Sequence, residues 1–385
     1  MKCLRFSWVI PFAVAAGCAP PLQAPADVKP APAPIALIGA TAWAGPQLEE
    51  VRDAVVVVAE GKIIALGPAA EVSIPSDAEV IDAAGMTLLP GFIDAHVHIA
   101  FHPPAAVLAG GVTTVRDLGW PPQDIFPIVQ ASAEAAFEGP KVIAAGPIIT
   151  AAGGYPARAG WAPAGTALEV SSEAEGRAAV AKVAELGATV IKVALNPPAG
   201  PTLPAAVLDA IVRAAHRQGL KVTGHVAGLA ELEKAVDAGM DELAHMLMTP
   251  EAIPQALLER MAQAGMVIVP TLSVRAGADL KIATDNTRRF IAAGGKVVYG
   301  TDLGNAGPRP GIDEREVKAM HRAGMSTRAI VTSATVVAAD HLGLTGTGRL
   351  QVGAEADIIG ITGDIDDPLS LLAPSLVLRD GVRAR

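Results

Sequence analysis

Eight short runs of β-branched and small apolar residues recur through the middle of the chain. They lie at 92–97, 112–117, 141–149, 188–194, 220–226, 240–245, 266–271 and 296–301. Most are followed by a loop and then by an alanine-rich stretch of helical spacing, such as PAAVLDAIVRAAHRQG or GLAELEKAVDAG. Strands that read as nearly continuous apolar runs are buried on both faces, and repeated βα units set them parallel. The expected fold is therefore α/β, a TIM (β/α)8 barrel. Barrels of this kind assemble their sites from the C-terminal ends of the strands and the loops that follow.

Six chemically able side chains fall at or near such ends. GFIDAHVH (91–98) finishes its strand with His96 and His98, two residues apart and so on one face. Converging imidazoles suit a borderline divalent cation such as zinc. Further on, LGATVIKVAL carries Lys192, VTGHVAG carries His225, DELAHM carries His245 and VVYGTDLG carries Asp302. Each has a plainer reading alone: a lysine paired with an internal carboxylate, a core histidine, a histidine paired with Asp241 or Glu242, an N-cap aspartate. The ordered set is far more specific than any member. Val190, Lys192 and Ala194 share one strand face, so the lysine points inward, where burial lowers its pKa.

This ordered set resembles the amidohydrolase superfamily, and within it the imidazolonepropionase-like and prolidase-like branch. The resemblance runs from about Ile35 to the C-terminus, with further matches in TTVRD (113–117), GPIIT (146–150), YGTDLGN (299–305) and ADIIGITGD (356–364). It implies a small β-sandwich formed by both chain ends beside the barrel. The sandwich would take residues 35–90 and 345–385, with the barrel at 91–344. It also implies two divalent metal ions, zinc being the first expectation. His96 and His98 would bind one with Asp302, His225 and His245 the other. Lys192 would bridge them as a carbamate, formed when carbon dioxide adds to its amine.

The implied reaction is hydrolysis of a non-ester C–N bond, in a dipeptide or a cyclic amide, by a metal-bridging hydroxide with Asp302 as proton shuttle. Two cations sharing a water bring its pKa toward neutrality. A mononuclear deaminase would use similar histidines and aspartate, usually without the lysine. A non-catalytic metal-containing binding lipoprotein would leave Asp302 superfluous. For the substrate, the loop at 153–165 offers Tyr155, Arg158 and Trp161, and later loops offer Arg275 and Arg309. A guanidinium there could grip a substrate carboxylate in two-pronged fashion, or could equally be a solvated surface residue. Arg116, beside Asp117 in TTVRD, reads as a structural ion pair at the barrel end.

The first 34 residues are of another kind. Lys2 and Arg5 precede an apolar stretch from Trp8 to Ala16, the pattern of a signal peptide over residues 1–17. Ala15-Ala16-Gly17-Cys18 looks like a bacterial lipobox with Cys18 as the lipidation site, although Ala15 stands where a larger aliphatic residue is usual. Residues 18–34 then form a Pro/Ala-rich linker. The expected location is the bacterial periplasm, or the membrane surface through a lipid anchor at Cys18. Both cysteines, Cys3 and Cys18, lie in this leader, so the body holds no disulfide, thiol nucleophile or thiolate metal site. A net charge of −9 with no basic stripe argues against nucleic acid. The expected partner is a small-molecule substrate, and homo-oligomer formation is left open.

Overall fold

The computed structural model describes residues 33–134 and 136–385. The signal peptide at 1–17, Cys18 and the linker as far as residue 32 lie outside the described residues. Five strands come first: β1 (Ile35–Ala44), β2 (Glu49–Ala59), β3 (Lys62–Pro68), β4 (Glu79–Asp82) and β5 (Met86–Pro90). The first three are antiparallel neighbours, and the other edge of β1 takes β4 and then β5 in parallel.

Strands and helices then alternate. In order they are β6 (Phe92–Val97), α1 (Pro104–Ala109), β7 (Val112–Asp117), α2 (Pro122–Ser132), β8 (Lys141–Ala144), β9 (Ile148–Ala151) and β10 (Ala167–Val170). Next come α3 (Glu173–Glu185), β11 (Val190–Leu195), α4 (Ala205–Arg217), β12 (Lys221–Val226), α5 (Leu229–Asp237) and β13 (Glu242–Leu243). After them lie α6 (Gln255–Gln263), β14 (Val267–Ile268), α7 (Gly277–Ala292), β15 (Lys296–Val297), α8 (Glu314–Arg322), α9 (Thr327–Ala334) and α10 (Val336–Leu342). The class is α/β with parallel sheets: β6-β7-β8 in one, and β10-β9-β11-β12-β13-β14-β15 in the other.

Local chemistry sets the boundaries. Ser172 accepts from the N–H of Glu175 at 3.2 Å while the Glu175 carboxylate accepts from the N–H of Ser171, a reciprocal cap that starts α3. Prolines at 204 and 254 start α4 and α6, where no partner for an N–H is needed. The buried face of α4, Val207, Leu208, Ile211 and Val212, joins the main core. Full burial of each such side chain is worth about 1.5–3 kcal/mol.

The run at 141–149, read above as one strand, is two. Gly146 takes a φ of +70° and Pro147 has no N–H to donate, so the ladder breaks there. The strand at 167–170 was not expected and pairs in parallel with β9. The expected runs at 240–245, 266–271 and 296–301 keep only two ladder residues each, because the chain beyond them turns into the site. Backbone bonds also run between the two parallel sheets. Thr189 N donates to Ala144 O at 3.0 Å, Ala95 N to Tyr299 O at 3.1 Å, and Asp302 N to His96 O at 2.7 Å.

The C-terminal end returns to the first sheet as β16 (Ile358–Thr362), β17 (Leu376–Arg379) and β18 (Val382–Arg383). β16 lies antiparallel to β5, which gives the order β18-β17-β16-β5-β1-β2-β3. Both chain ends thus share one continuous hydrogen-bonded sheet, where two facing sheets were expected. The sheet curls on an interior of Leu37, Val56, Ile63, Leu88, Ile358 and Leu378. The curl brings the Glu60-Gly61 turn to Asp380-Gly381: Ala356 N donates to Gly61 O, and Gly381 N to Ala356 O.

Arg116 forms the structural ion pair expected of it, with Glu242 as the partner. Adjacent strand residues face opposite ways, so Arg116 reaches Glu242 at 2.6 Å while Asp117 accepts from the N–H groups of Ile99 and Gly119. Glu242 also takes the Thr223 hydroxyl and lies 2.6 Å from His341 Nε2.

Candidate metal centre

The residues read from the sequence converge on one cavity at the strand C-termini. Its lining includes His96, His98, Lys192, His225, His245 and Asp302. Register explains part of this. Lys192 pairs with Thr223 and Ala194 with His225, so the inward face of β11 and β12 sets the lysine one pleat below the imidazole. Asp302 has a φ of +59°, a left-handed backbone that costs a non-glycine residue of order 1–3 kcal/mol. Asp94, which the sequence reading passed over, helps to hold that conformation. Its carboxylate accepts from the N–H of His96 at 3.1 Å, the N–H of Thr301 at 3.0 Å and the Thr301 hydroxyl at 2.6 Å. One buried carboxylate thereby ties the HxH strand to the segment bearing Asp302.

Nitrogen and oxygen acceptors face one another across the cavity. His96 Nδ1 lies 2.7 Å from Ala244 O and His98 Nδ1 3.2 Å from Gly119 O. Carbonyls only accept, so each ring carries its proton on Nδ1 and turns a bare Nε2 inward. Both Nε2 atoms stand 3.3 Å from Asp302 Oδ1, and His245 Nδ1 stands 3.7 Å from Oδ2. Ligand atoms of His96, His245 and Asp302 all lie within 4.8 Å of one another. Asp302 Oδ1 and Lys192 Nζ are both buried without a hydrogen-bond partner. Lone pairs set against a carboxylate oxygen are stable only with positive charge between them, so the donor set fits divalent cations.

The electrostatics agree. Burial first, then the Lys192 charge, holds His96 well below the usual imidazole range. The same causes bring His225 down to about 3. Burial and the other imidazoles keep His245 low. His98 goes the other way: burial opposes its charge, but the Asp302 carboxylate 3.3 Å away and the charge of Asp117 outweigh it. Positive charge is favoured at that spot. Burial brings Lys192 down to about 7, with Asp302 and Glu242 pulling against it, a shift that favours the neutral, nucleophilic amine.

The expected substrate residues divide. Tyr155 and Trp161 line the cavity, with Trp161 Nε1 donating to the Tyr155 hydroxyl at 3.1 Å. The Tyr155 ring stacks on His225, with centroids 4.6 Å apart. None of the three arginines lines it. Arg158 and Arg309 are exposed. Arg275 is buried, and its guanidinium donates to the carbonyls of Met246, Leu247 and Met248, which commits it to shaping the loop after β13. Asn196, which donates to His225 Nε2 at 3.0 Å, and the wall residues Phe101, Leu118, Ile148 and Met248 were missed. Asn196 could have been found, since it directly follows the strand bearing Lys192. The wall residues carry no signal that separates them from core.

Comparison with known proteins bears on this geometry. The model of the amidohydrolase family matches residues 87–383. Imidazolonepropionase from Rhizobium rhizogenes is 46% identical over 54 residues, 14% of this chain and 13% of that protein, so the match spans about an eighth of the relative's length. Ochratoxinase from Aspergillus niger is 27% identical over 346 residues, covering 71% of this chain and 70% of that one. Among solved structures, a Bifidobacterium longum protein proposed to be a prolidase superposes with a TM-score of 0.78 at 25% identity, covering 92% of this chain and 95% of the other.

Proposed function

The chain belongs to the amidohydrolase family, metal-dependent hydrolases of C–N bonds, and on that premise we propose that it cleaves a small amide with two divalent ions and Asp302 as proton shuttle. The observation that carries the reading is the meeting of two bare imidazole nitrogens on Asp302 Oδ1, each at 3.3 Å. His96 and His98 with Asp302 would hold one ion, and His225 and His245 the other. Zinc is the first choice for imidazole and carboxylate donors. Lys192 would join the two sites as a carbamate: its neutral amine adds to carbon dioxide and loses a proton. Burial of that amine, which favours its neutral form, supports this step.

When bound, the ions lower the pKa of a water and polarise the scissile carbonyl. The remaining work falls to the chain. The Asp302 carboxylate, held at the cavity by the Asp94–Thr301 contacts, accepts the proton that the attacking water gives up and passes it to the departing nitrogen. Proton transfer by a positioned group is worth about 10²–10⁴ in rate. Tyr155 and Trp161 bound the space in which the amide is held. The reading takes the two parallel sheets as arcs of one (β/α)8 barrel, supported by the backbone bonds that join β8 to β11 and β6 to the segment after β15. Export to the periplasm, with or without a lipid on Cys18, remains part of the proposal and rests on the leader alone.

The tight group of His96, His245 and Asp302 also favours a second reading, a single-ion deaminase. Metal content measured together with product analysis separates the two. Two ions per chain, amine release from an amide panel and uptake of isotopically labelled carbon dioxide at Lys192 support the first. One ion with ammonia release supports the second.

A further inference from the structure

Above its polar floor the cavity is walled by Phe101, Leu118, Ile148, Trp161 and Met248. Leu118 and Ile148 are fully buried, and Phe101 stands at the rim, edge-on to Trp120 at 5.0 Å between ring centroids. The rings of His98 and Trp161 lie 5.1 Å apart, so the apolar wall begins directly above the donor set. The cavity measures about 180 Å³. That volume includes the polar floor, and an apolar void of about 150 Å³ takes a benzene ring, so a single ring is the upper limit of what the wall encloses. Among the described residues no lysine or arginine belongs to the wall: Lys192 lies on the floor, and the three candidate arginines are exposed or bound to carbonyls. A carboxylate brought against such a wall would lose part of its water, and the polar side chains nearby, Tyr155 and Asn305, carry no positive charge to offset the loss.

We propose that the substrate is a neutral amide bearing one ring-sized apolar group next to the scissile nitrogen, and that substrates with a carboxylate at that position are rejected. The inference rests on the hydrolase reading above, and it turns away from a dipeptide with a free C-terminus. The aromatic and aliphatic wall supplies the binding free energy, and its lack of a cation supplies the selectivity.

A matched pair tests it: N-acetyl-2-phenylethylamine and N-acetylphenylalanine, which differ only by the carboxylate beside the scissile nitrogen. Binding to the metal-loaded full chain is followed by tryptophan fluorescence, and hydrolysis by amine release. The neutral compound is expected to bind at least about tenfold more tightly. Equal or tighter binding of the acid overturns the proposal, whether or not either compound is cleaved. Preferential binding of the neutral amide without turnover leaves the proposal standing and counts against the hydrolase reading instead. Phe101→Arg adds a cation at a rim position that is 43% exposed. The variant should narrow the preference by about tenfold. A preference that Phe101→Arg leaves unmoved also overturns the proposal, because the missing wall cation would then not be its source.

Discussion

Replacing Arg116 by leucine should expose how the interior of the parallel sheets is held together. Its guanidinium lies 2.6 Å from Glu242, and both side chains are about 1% exposed. Removing one partner of a buried pair leaves the other charge uncompensated and costs about 3–5 kcal/mol. Unfolding entropy near 2.1 cal/mol/K per residue, taken over the roughly 350 residues of Ala33–Arg385, makes that a fall in Tm of about 4–7 °C.

The sign of the pH dependence is diagnostic. Burial alone would raise the Glu242 pKa, and Arg116 with His341 more than reverses this, holding the carboxyl below its usual range. In the parent protein this stability is complete above the unfolded carboxyl's pKa and fades as pH falls through the lower folded value. In the Arg116→Leu variant His341 and the Thr223 hydroxyl still bond the carboxylate, but the largest charge opposing burial is gone and the pKa rises. The deficit should then be greatest near neutrality and shrink toward about pH 5. Thermal unfolding by circular dichroism at both pH values measures it. An unchanged Tm, or a deficit that grows on acidification, would refute the reasoning. Arg116→Leu combined with Glu242→Met should recover most of the loss.

Other perturbations address the site. Asp302→Asn should lower turnover by about 10²–10⁴ with the fold retained by circular dichroism, and near-normal activity would remove its shuttle role. Chelation should lower Tm, because ligand present at about 100 times its Kd stabilises the folded state by about 2.7 kcal/mol; a Tm indifferent to chelator would argue against bound ions. Thr301→Val leaves Asp94 Oδ2 without its hydroxyl donor and should cost about 1–3 kcal/mol, with weakened metal affinity measured by competition. Gly110→Ala would place a Cβ 2.4 Å from the Gly311 backbone, so a stability loss of about 1–3 kcal/mol is expected by denaturant titration.

The donor set was legible because parallel βα repeats and strand periodicity act on local sequence. His96 and His98 share a face whatever surrounds them, and Lys192 and His225 fall on inward positions of adjacent strands. What could not be read depended on contacts between segments far apart in the chain. Whether Arg275 grips a substrate or the carbonyls of 246–248 is decided by where the loop after β13 passes. The pairing of Arg116 with Glu242 spans 126 positions and defeats any neighbour-based guess. The break at Gly146-Pro147 was available locally, but an apolar run on both sides concealed it.

The sheet shared by the two termini has a consequence during synthesis. β5 pairs along one edge with β16, which is translated about 270 residues later. At about 5–20 residues per second the nascent chain carries that bare edge for roughly 15–55 s. Unpaired edges invite pairing with other chains. A molecule cut short before Ile358 would keep the whole HxH strand, yet present a sticky ribbon to its neighbours.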